Sequence, residues 1–88
     1  MDVFQIIKEQ LVRLRGPEML AVTMDSVISQ VVDSRSFLTL LINLEKALHI
    51  TVSDEDFYKS APVTLGQLAD LLAGLTGAPP IQKKEVFQ

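Results

Sequence analysis

The sequence predicts an all-α protein, a small four-helix bundle with a long loop between its first and second helices. Apolar residues recur at helical spacing in several segments, and helix-capping and helix-ending residues flank those segments. The content of 48% hydrophobic and 22% charged residues is typical of a globular protein. We expect one small domain at residues 1–76 and a flexible, proline-containing C-terminal tail at residues 77–88.

The first helix is predicted from Asp2 to Arg15, because apolar residues recur there every three or four positions. Asp2 is a suitable N-cap, and Gly16-Pro17 ends the helix. Residues 17–33 contain many apolar side chains without a sustained period. We interpret them as a structured loop with room for one helical turn.

The second helix is predicted from about Ser34 to Leu48. Its polar residues occupy only a narrow strip, so we expect it to be buried on most sides as the central helix. The apolar stripe and the residues that broaden it are Phe37, Leu41, Leu44 and Leu48, with Leu38, Leu40, Ile42 and Ala47 beside them.

Two shorter segments complete the predicted bundle. Ser53 caps a third helix from about Asp54 to Ser60, and acidic residues in its first turn favour the positive helix end. Thr64 caps the last helix, in which leucines repeat at helical spacing and which Gly74 and Gly77 are predicted to close.

Charge and composition restrict the class of partner. The formal net charge is −3, which disfavours nucleic acid or an anionic membrane as the main partner. Cysteine is absent, which excludes disulfides and thiolate chemistry. The apolar runs are far shorter than the roughly 20 residues of a membrane-spanning helix, so we expect a cytoplasmic monomer with no membrane span.

Ser34 is the main candidate functional residue, and its position at a helix start has two explanations. Serine is a good N-cap, so its hydroxyl could serve the helix alone. The same position also suits a phosphate ester, because unpaired amides and the positive helix end favour an anion. Helix periodicity does not separate these two roles.

The residues around Ser34 carry a family resemblance. Asp33-Ser34 opens an apolar helix that has Leu44-Glu45 near its end, and Leu48 is followed by Ile50. With the long first helix, the apolar loop and the two shorter helices, the chain resembles the acyl carrier proteins over nearly its whole globular part. Val31-Val32, which precede the pair without glycine, are closer to the D-alanyl carrier proteins or to specialised secondary-metabolism carriers.

The resemblance implies a non-catalytic carrier. A phosphopantetheinyl transferase would esterify Ser34 with 4′-phosphopantetheine from coenzyme A, and the terminal thiol would hold acyl or aminoacyl intermediates as thioesters. A loading ligase or transferase and synthase or tailoring enzymes would be the other partners, in a specialised lipid, polyketide or nonribosomal peptide pathway. No metal site is expected in the chain.

Two further residue sets follow from the resemblance. Partner recognition would involve Asp33, Arg35, Ser36, Thr39, Glu45, Asp54, Glu55 and Asp56. The second helix carries few acids, and Arg35 follows the serine, so we expect dedicated partners. If the cargo is sequestered, a cavity would open among residues that are first of all core, namely Leu40, Leu41, Ile42, Leu44, Val52, Phe57, Ala61 and Leu68.

Two other functions remain as alternatives. The chain could be an unmodified helical adaptor that docks a partner protein through its acidic surface. An enzyme is the weaker alternative, because the sequence shows no nucleophile–base pair, metal cluster or phosphate loop.

Overall fold

The computed structural model describes residues 2–77 and shows an all-α fold. The helices are α1 (Val3–Arg15), α2 (Ile28–Val31), α3 (Ser34–Leu48), α4 (Asp54–Ser60) and α5 (Leu65–Thr76), and a 3₁₀ helix spans Pro17–Ala21. The predicted class is therefore confirmed. Of the predicted tail, only Gly77, which caps the end of α5, lies within the described residues.

The four predicted helices lie where they were predicted, because their caps are local, but α5 continues through Gly74, which was predicted to close it, and ends at Gly77. Asp2 accepts a hydrogen bond from the Gln5 backbone N–H at 3.3 Å and starts α1. Gly16, with φ of 114°, ends α1 in a backbone conformation that glycine adopts without strain. Ser53 and Thr64 cap α4 and α5 as predicted.

The loop between α1 and α3 holds more helix than the single turn the sequence suggested. It contains both the 3₁₀ helix and the four-residue α2, and neither contains a fully buried residue. Segments this short leave no apolar period in the sequence, because a period needs several turns.

The core lies where α1, α3 and α5 meet. Seven side chains there have no exposed surface: Ile7, Leu11, Leu40, Leu44, Leu65, Leu68 and Leu72. The cluster draws on all three long helices, so it fixes the position of α3 and of the residues at its start.

The expectation that α3 is buried on most sides is wrong. Leu38 is 61% exposed and Ile42 is 51% exposed, although both were assigned to the apolar interior. Only Leu40, Leu44 and Leu48 are buried, at every fourth position. Two residues along a helix turn through about 200°, so Leu38 and Ile42 point away from the face that Leu40 presents to the core.

Ala61, another predicted core residue, is also exposed. It ends α4 in the left-handed conformation, with φ of 44°, and its backbone N–H bonds to the Phe57 carbonyl. Its place as a helix C-cap therefore directs it outward.

Backbone hydrogen bonds tie the long loop to the start of α5, and we call this the loop–α5 contact. It comprises bonds from Ile28 N–H to the Val63 carbonyl at 2.8 Å, from Leu65 N–H to the Ser26 carbonyl at 2.9 Å, and from Gly66 N–H to the Met24 carbonyl at 2.8 Å. A Cβ at position 66 would lie 3.0 Å from the Met24 carbonyl oxygen. Glycine therefore permits the close approach of the two backbones.

Among residues 2–77, none of the helices combines the length and the apolar character that crossing a membrane requires.

Candidate functional site

The start of α3 presents a serine hydroxyl to solvent. Ser34 is exposed and is the first residue of the helix. Asp33, in extended conformation, is the N-cap, and its carboxylate accepts the Ser36 backbone N–H at 2.7 Å. The interpretation of Ser34 as the cap is therefore wrong. Within residues 2–77, no hydrogen bond engages the Ser34 hydroxyl.

The Asp33 carboxylate is held in its charged form. Its pKa lies below the usual 3.8, first because the Ser36 backbone N–H donates to it, and further because of the Ser36 hydroxyl and the positive charge of Arg15. A charged carboxylate is the stronger cap, because it also interacts favourably with the positive end of the helix. At neutral pH Asp33 therefore fills the capping role without help from Ser34.

Two open grooves meet at Ser34. The first, which we call the α2–α3 groove, has a volume of about 350 Å³ and is lined by Val27, Ile28, Ser29, Val32, Asp33, Ser34, Phe37, Phe57, Pro62 and Val63. The second, the α3–α4 groove, has a volume of about 300 Å³ and is lined by Ser34, Phe37, Leu38, Leu41, Val52, Ser53, Asp54, Phe57 and Tyr58.

The residues common to both grooves are Ser34, Phe37 and Phe57. The two phenyl rings form a tilted pair, with centroids 5.6 Å apart and an interplanar angle of 51°. This is a favourable aromatic geometry, and it makes the ring pair a shared border beside the serine.

The residues suggested for a cargo cavity divide into three groups. Leu41, Val52 and Phe57 line the α3–α4 groove. The core residues of the set have no exposed surface and line neither groove: Leu40, Leu44 and Leu68. The exposed residues Ile42 and Ala61 also lie outside both grooves.

The recognition residues on α3 do not form one group. Arg35 and Thr39 are exposed one turn apart, and the Thr39 hydroxyl donates to the Arg35 carbonyl at 3.4 Å. Ser36 is half-buried, and its backbone N–H is engaged by Asp33. The Glu45 carboxylate accepts the Val52 backbone N–H at 2.7 Å and so holds the connection between α3 and α4. A recognition role for these residues stays a prediction.

The acidic residues of α4 lie in its first turn. Asp54 borders the α3–α4 groove, and the Asp56 backbone N–H donates to the capping Ser53 hydroxyl at 3.0 Å. Glu55 forms an exposed ion pair with Lys59 at 3.4 Å, which contributes little to stability. Over residues 2–77, no three His, Cys, Asp or Glu side chains are grouped so that they could hold a metal ion.

Leu38, Ser53 and Tyr58 border the α3–α4 groove but were not singled out as its lining from the sequence. Leu38 follows Ser34 by one helical turn, so helical spacing could have identified it. Tyr58 lies on another helix, and its proximity depends on how α4 packs against α3.

Comparison with models of known protein families finds none that matches this chain, and a search of curated proteins finds no significant match. The function must therefore be inferred from the geometry at the start of α3.

Proposed function

We propose that this chain is an acyl carrier protein in which Ser34 carries 4′-phosphopantetheine. The observation that supports this most directly is the Ser34 hydroxyl itself. It is exposed at the start of a 15-residue helix, and the neighbouring Asp33 already performs the capping that would otherwise occupy it.

The proposed modification is a simple substitution at phosphorus. The Ser34 Oγ attacks the phosphoanhydride of coenzyme A, a P–O bond to that oxygen forms, and adenosine 3′,5′-bisphosphate leaves. The hydroxyl proton passes to a base of the transferase. The resulting phosphodiester lies at the positive end of α3, which favours an anion, and the charge of Arg15 reaches this region, since it acts on Asp33.

In this proposal the thiol of the prosthetic group holds acyl or aminoacyl intermediates as thioesters. A loading ligase or transferase attaches the cargo, and synthase or tailoring enzymes of a specialised pathway consume it. The exposed face of α3 near Ser34 has Arg35 and Thr39 in place of carboxylates, which supports dedicated partners rather than general fatty-acid synthase enzymes.

The test is modification of the purified full chain. The protein is incubated with coenzyme A and a promiscuous phosphopantetheinyl transferase, and its intact mass is measured. We expect a gain of one phosphopantetheine in the native chain and in Ser60→Ala, the matched control at an exposed serine that ends α4. Ser34→Ala should show no gain.

The same experiment addresses the adaptor alternative. If the native chain gains no mass while a control carrier is fully modified, the carrier proposal fails and the adaptor is favoured. A gain that persists in Ser34→Ala would place the attachment at another residue.

A further inference from the structure

The outward face of α3 combines large apolar side chains with positive charge. Five exposed residues lie along it at helical spacing, namely Arg35, Leu38, Thr39, Ile42 and Lys46, and we call them the α3 stripe. We infer that the α3 stripe is a docking surface for an acidic helix of a partner protein, one that presents two apolar side chains between two carboxylates. Such docking goes beyond the proposed function, because it does not require Ser34 to be modified.

The α3 stripe lies opposite the face that α3 packs into the core. At about 100° of rotation per residue, its five members fall within an arc of about 100°. Leu44, which has no exposed surface, follows Arg35 by nine residues and therefore points about 180° away from it. Leu38 and Ile42 are 61% and 51% exposed, so no helix among the described residues covers the stripe. It is a second face of a helix whose position the core fixes.

The two cations of the stripe are available to carboxylates of another molecule. Glu45 is the only acidic residue of α3, and its carboxylate accepts the Val52 backbone N–H at 2.7 Å. Within residues 2–77, the one ion pair joins Lys59 to Glu55. Arg35 and Lys46 are both exposed and form no ion pair there. The stripe is thus a locally positive surface on an acidic chain.

The spacing along the stripe defines the chemistry of the helix that fits it. Leu38 and Ile42 lie one turn apart in the middle, and Arg35 and Lys46 lie about one turn beyond them at either end. The two cations are therefore about 16 Å apart along the helix axis. A helix laid along the stripe has the same rise, so it matches with two apolar residues one turn apart and an acidic residue about one turn beyond each. Burial of the apolar side chains provides the affinity, and the charges select the partner.

A second copy of this chain fits the stripe less well. Laid antiparallel, two stripes would bring Arg35 of one copy beside Lys46 of the other. Laid parallel, they would bring each cation beside its own counterpart. Both arrangements place like charges together, which costs free energy.

An anionic membrane is also a poorer match than a single helix. A flat bilayer laid on the stripe would approach Asp54 as well, because Asp54 borders the α3–α4 groove beside Leu38. The whole chain carries a net charge of −3, which repels an extended anionic surface. A narrow partner can contact the positive stripe without approaching the acidic residues beside it.

The experiment uses an alanine-rich helical peptide of about 18 residues as the probe. It carries glutamate, leucine, leucine and glutamate at the spacings of Arg35, Leu38, Ile42 and Lys46. A second peptide has lysine in place of both glutamates. Each is titrated into the full, unmodified chain, and backbone amide NMR signals are followed. We expect saturable shifts centred on the stripe with the glutamate peptide, at least about tenfold weaker binding of the lysine peptide, and weaker binding at high salt.

Matched variants separate the stripe from the rest of the surface. Leu38→Ala should weaken binding of the glutamate peptide about fivefold, whereas Leu20→Ala, at an equally exposed leucine outside the stripe, should leave it unchanged. Arg35→Glu should weaken binding about tenfold, whereas Arg13→Glu, at an exposed arginine of α1, should have little effect. Equal effects within either pair would contradict docking on the stripe.

Four other results would overturn the inference. Absence of shifts with the glutamate peptide, or equal binding of the lysine peptide, would show that the stripe does not select an acidic helix. Shifts at the stripe with phosphatidylglycerol vesicles but not with the peptide would identify a membrane as its occupant. A dimer in sedimentation that is lost in Leu38→Ala would identify a second copy. Because the test uses the unmodified chain, absence of phosphopantetheine mass gain would refute only the proposed function.

Discussion

Helices α3 and α5 both begin beside a hydroxyl-bearing residue, and they use it differently. At α5 the Thr64 hydroxyl accepts the Gln67 backbone N–H at 3.2 Å, while the Gln67 side chain accepts the Thr64 N–H at 3.2 Å. At α3 the cap is the Asp33 carboxylate, and the Ser34 hydroxyl has no such partner within the described residues.

The surroundings of the two helix starts also differ in their exposure to solvent. The first residue of α5 is Leu65, which has no exposed surface, whereas the first residue of α3 is the exposed Ser34. The start of α5 is thus built into the core and the loop, while the start of α3 is accessible. A hydroxyl that the fold does not use is available for chemistry, and this difference favours Ser34 over Thr64 as the proposed attachment site.

The largest expected difference in unfolding free energy is between alanine substitutions of apolar residues near the two helix starts. Leu65→Ala should lower the free energy of unfolding by about 2–5 kcal/mol, because it leaves a cavity in the core. Leu38→Ala, in the second turn of α3, should lower it by less than about 1 kcal/mol, since Leu38 is largely exposed. Urea unfolding of both variants measures the difference, and similar losses would contradict it.

The next largest difference in unfolding free energy is expected between variants that remove the Thr64 and the Ser34 hydroxyl. Thr64→Ala should cost about 1 kcal/mol of unfolding free energy, because it removes an N-cap and half of a capping box. Ser34→Ala should change it by no more than about 0.5 kcal/mol, as for an ordinary surface substitution. A loss of about 1 kcal/mol in the Ser34→Ala variant would show that the hydroxyl supports the helix after all.

The smallest effect concerns pH. The pKa of Asp33 is lowered in the folded protein, so its contribution to stability is complete above the unfolded value near 3.8 and is lost as the pH falls through the folded value. Asp33→Asn keeps a capping side chain without this titration. We expect the native chain to lose more stability than Asp33→Asn between pH 7 and pH 3, measured by thermal unfolding.

Thr64→Ser provides the matched control for the pH comparison, because the cap of α5 carries no titrating group. Its pH dependence should parallel that of the native chain. Parallel curves for Asp33→Asn and the native chain would instead mean that the charge of Asp33 does not contribute to the helix start.

The helix bounds could be predicted from the sequence because they depend on neighbouring residues. Asp2, Ser53 and Thr64 each bond to a backbone N–H three residues ahead, and such local contacts leave a sequence signature. The identity of the α3 cap was harder to predict, since Asp33 and Ser34 are adjacent and both residue types cap well. The extended backbone of Asp33 shows that Asp33, and not Ser34, is the N-cap of α3.

The exposed face of α3 and the grooves could not be predicted in the same way. Leu38 and Ile42 are apolar, but burial depends on which neighbouring helices cover each face, and the sequence does not state that. The α2–α3 groove combines Val27 with Val63, which are distant along the chain. Their proximity follows from the loop–α5 contact, which leaves no periodic pattern.

The loop–α5 contact also bears on how the chain folds and moves. It joins residues 24–28 to the start of α5, so α3 and α4 lie within one large chain closure. Such a closure costs conformational entropy before its contacts form. Once it is made, α4, which contains no buried residue, can open and close locally without global unfolding. One side of the α3–α4 groove is thus formed by a helix without buried residues, while Ser34 stays on a helix fixed to the core.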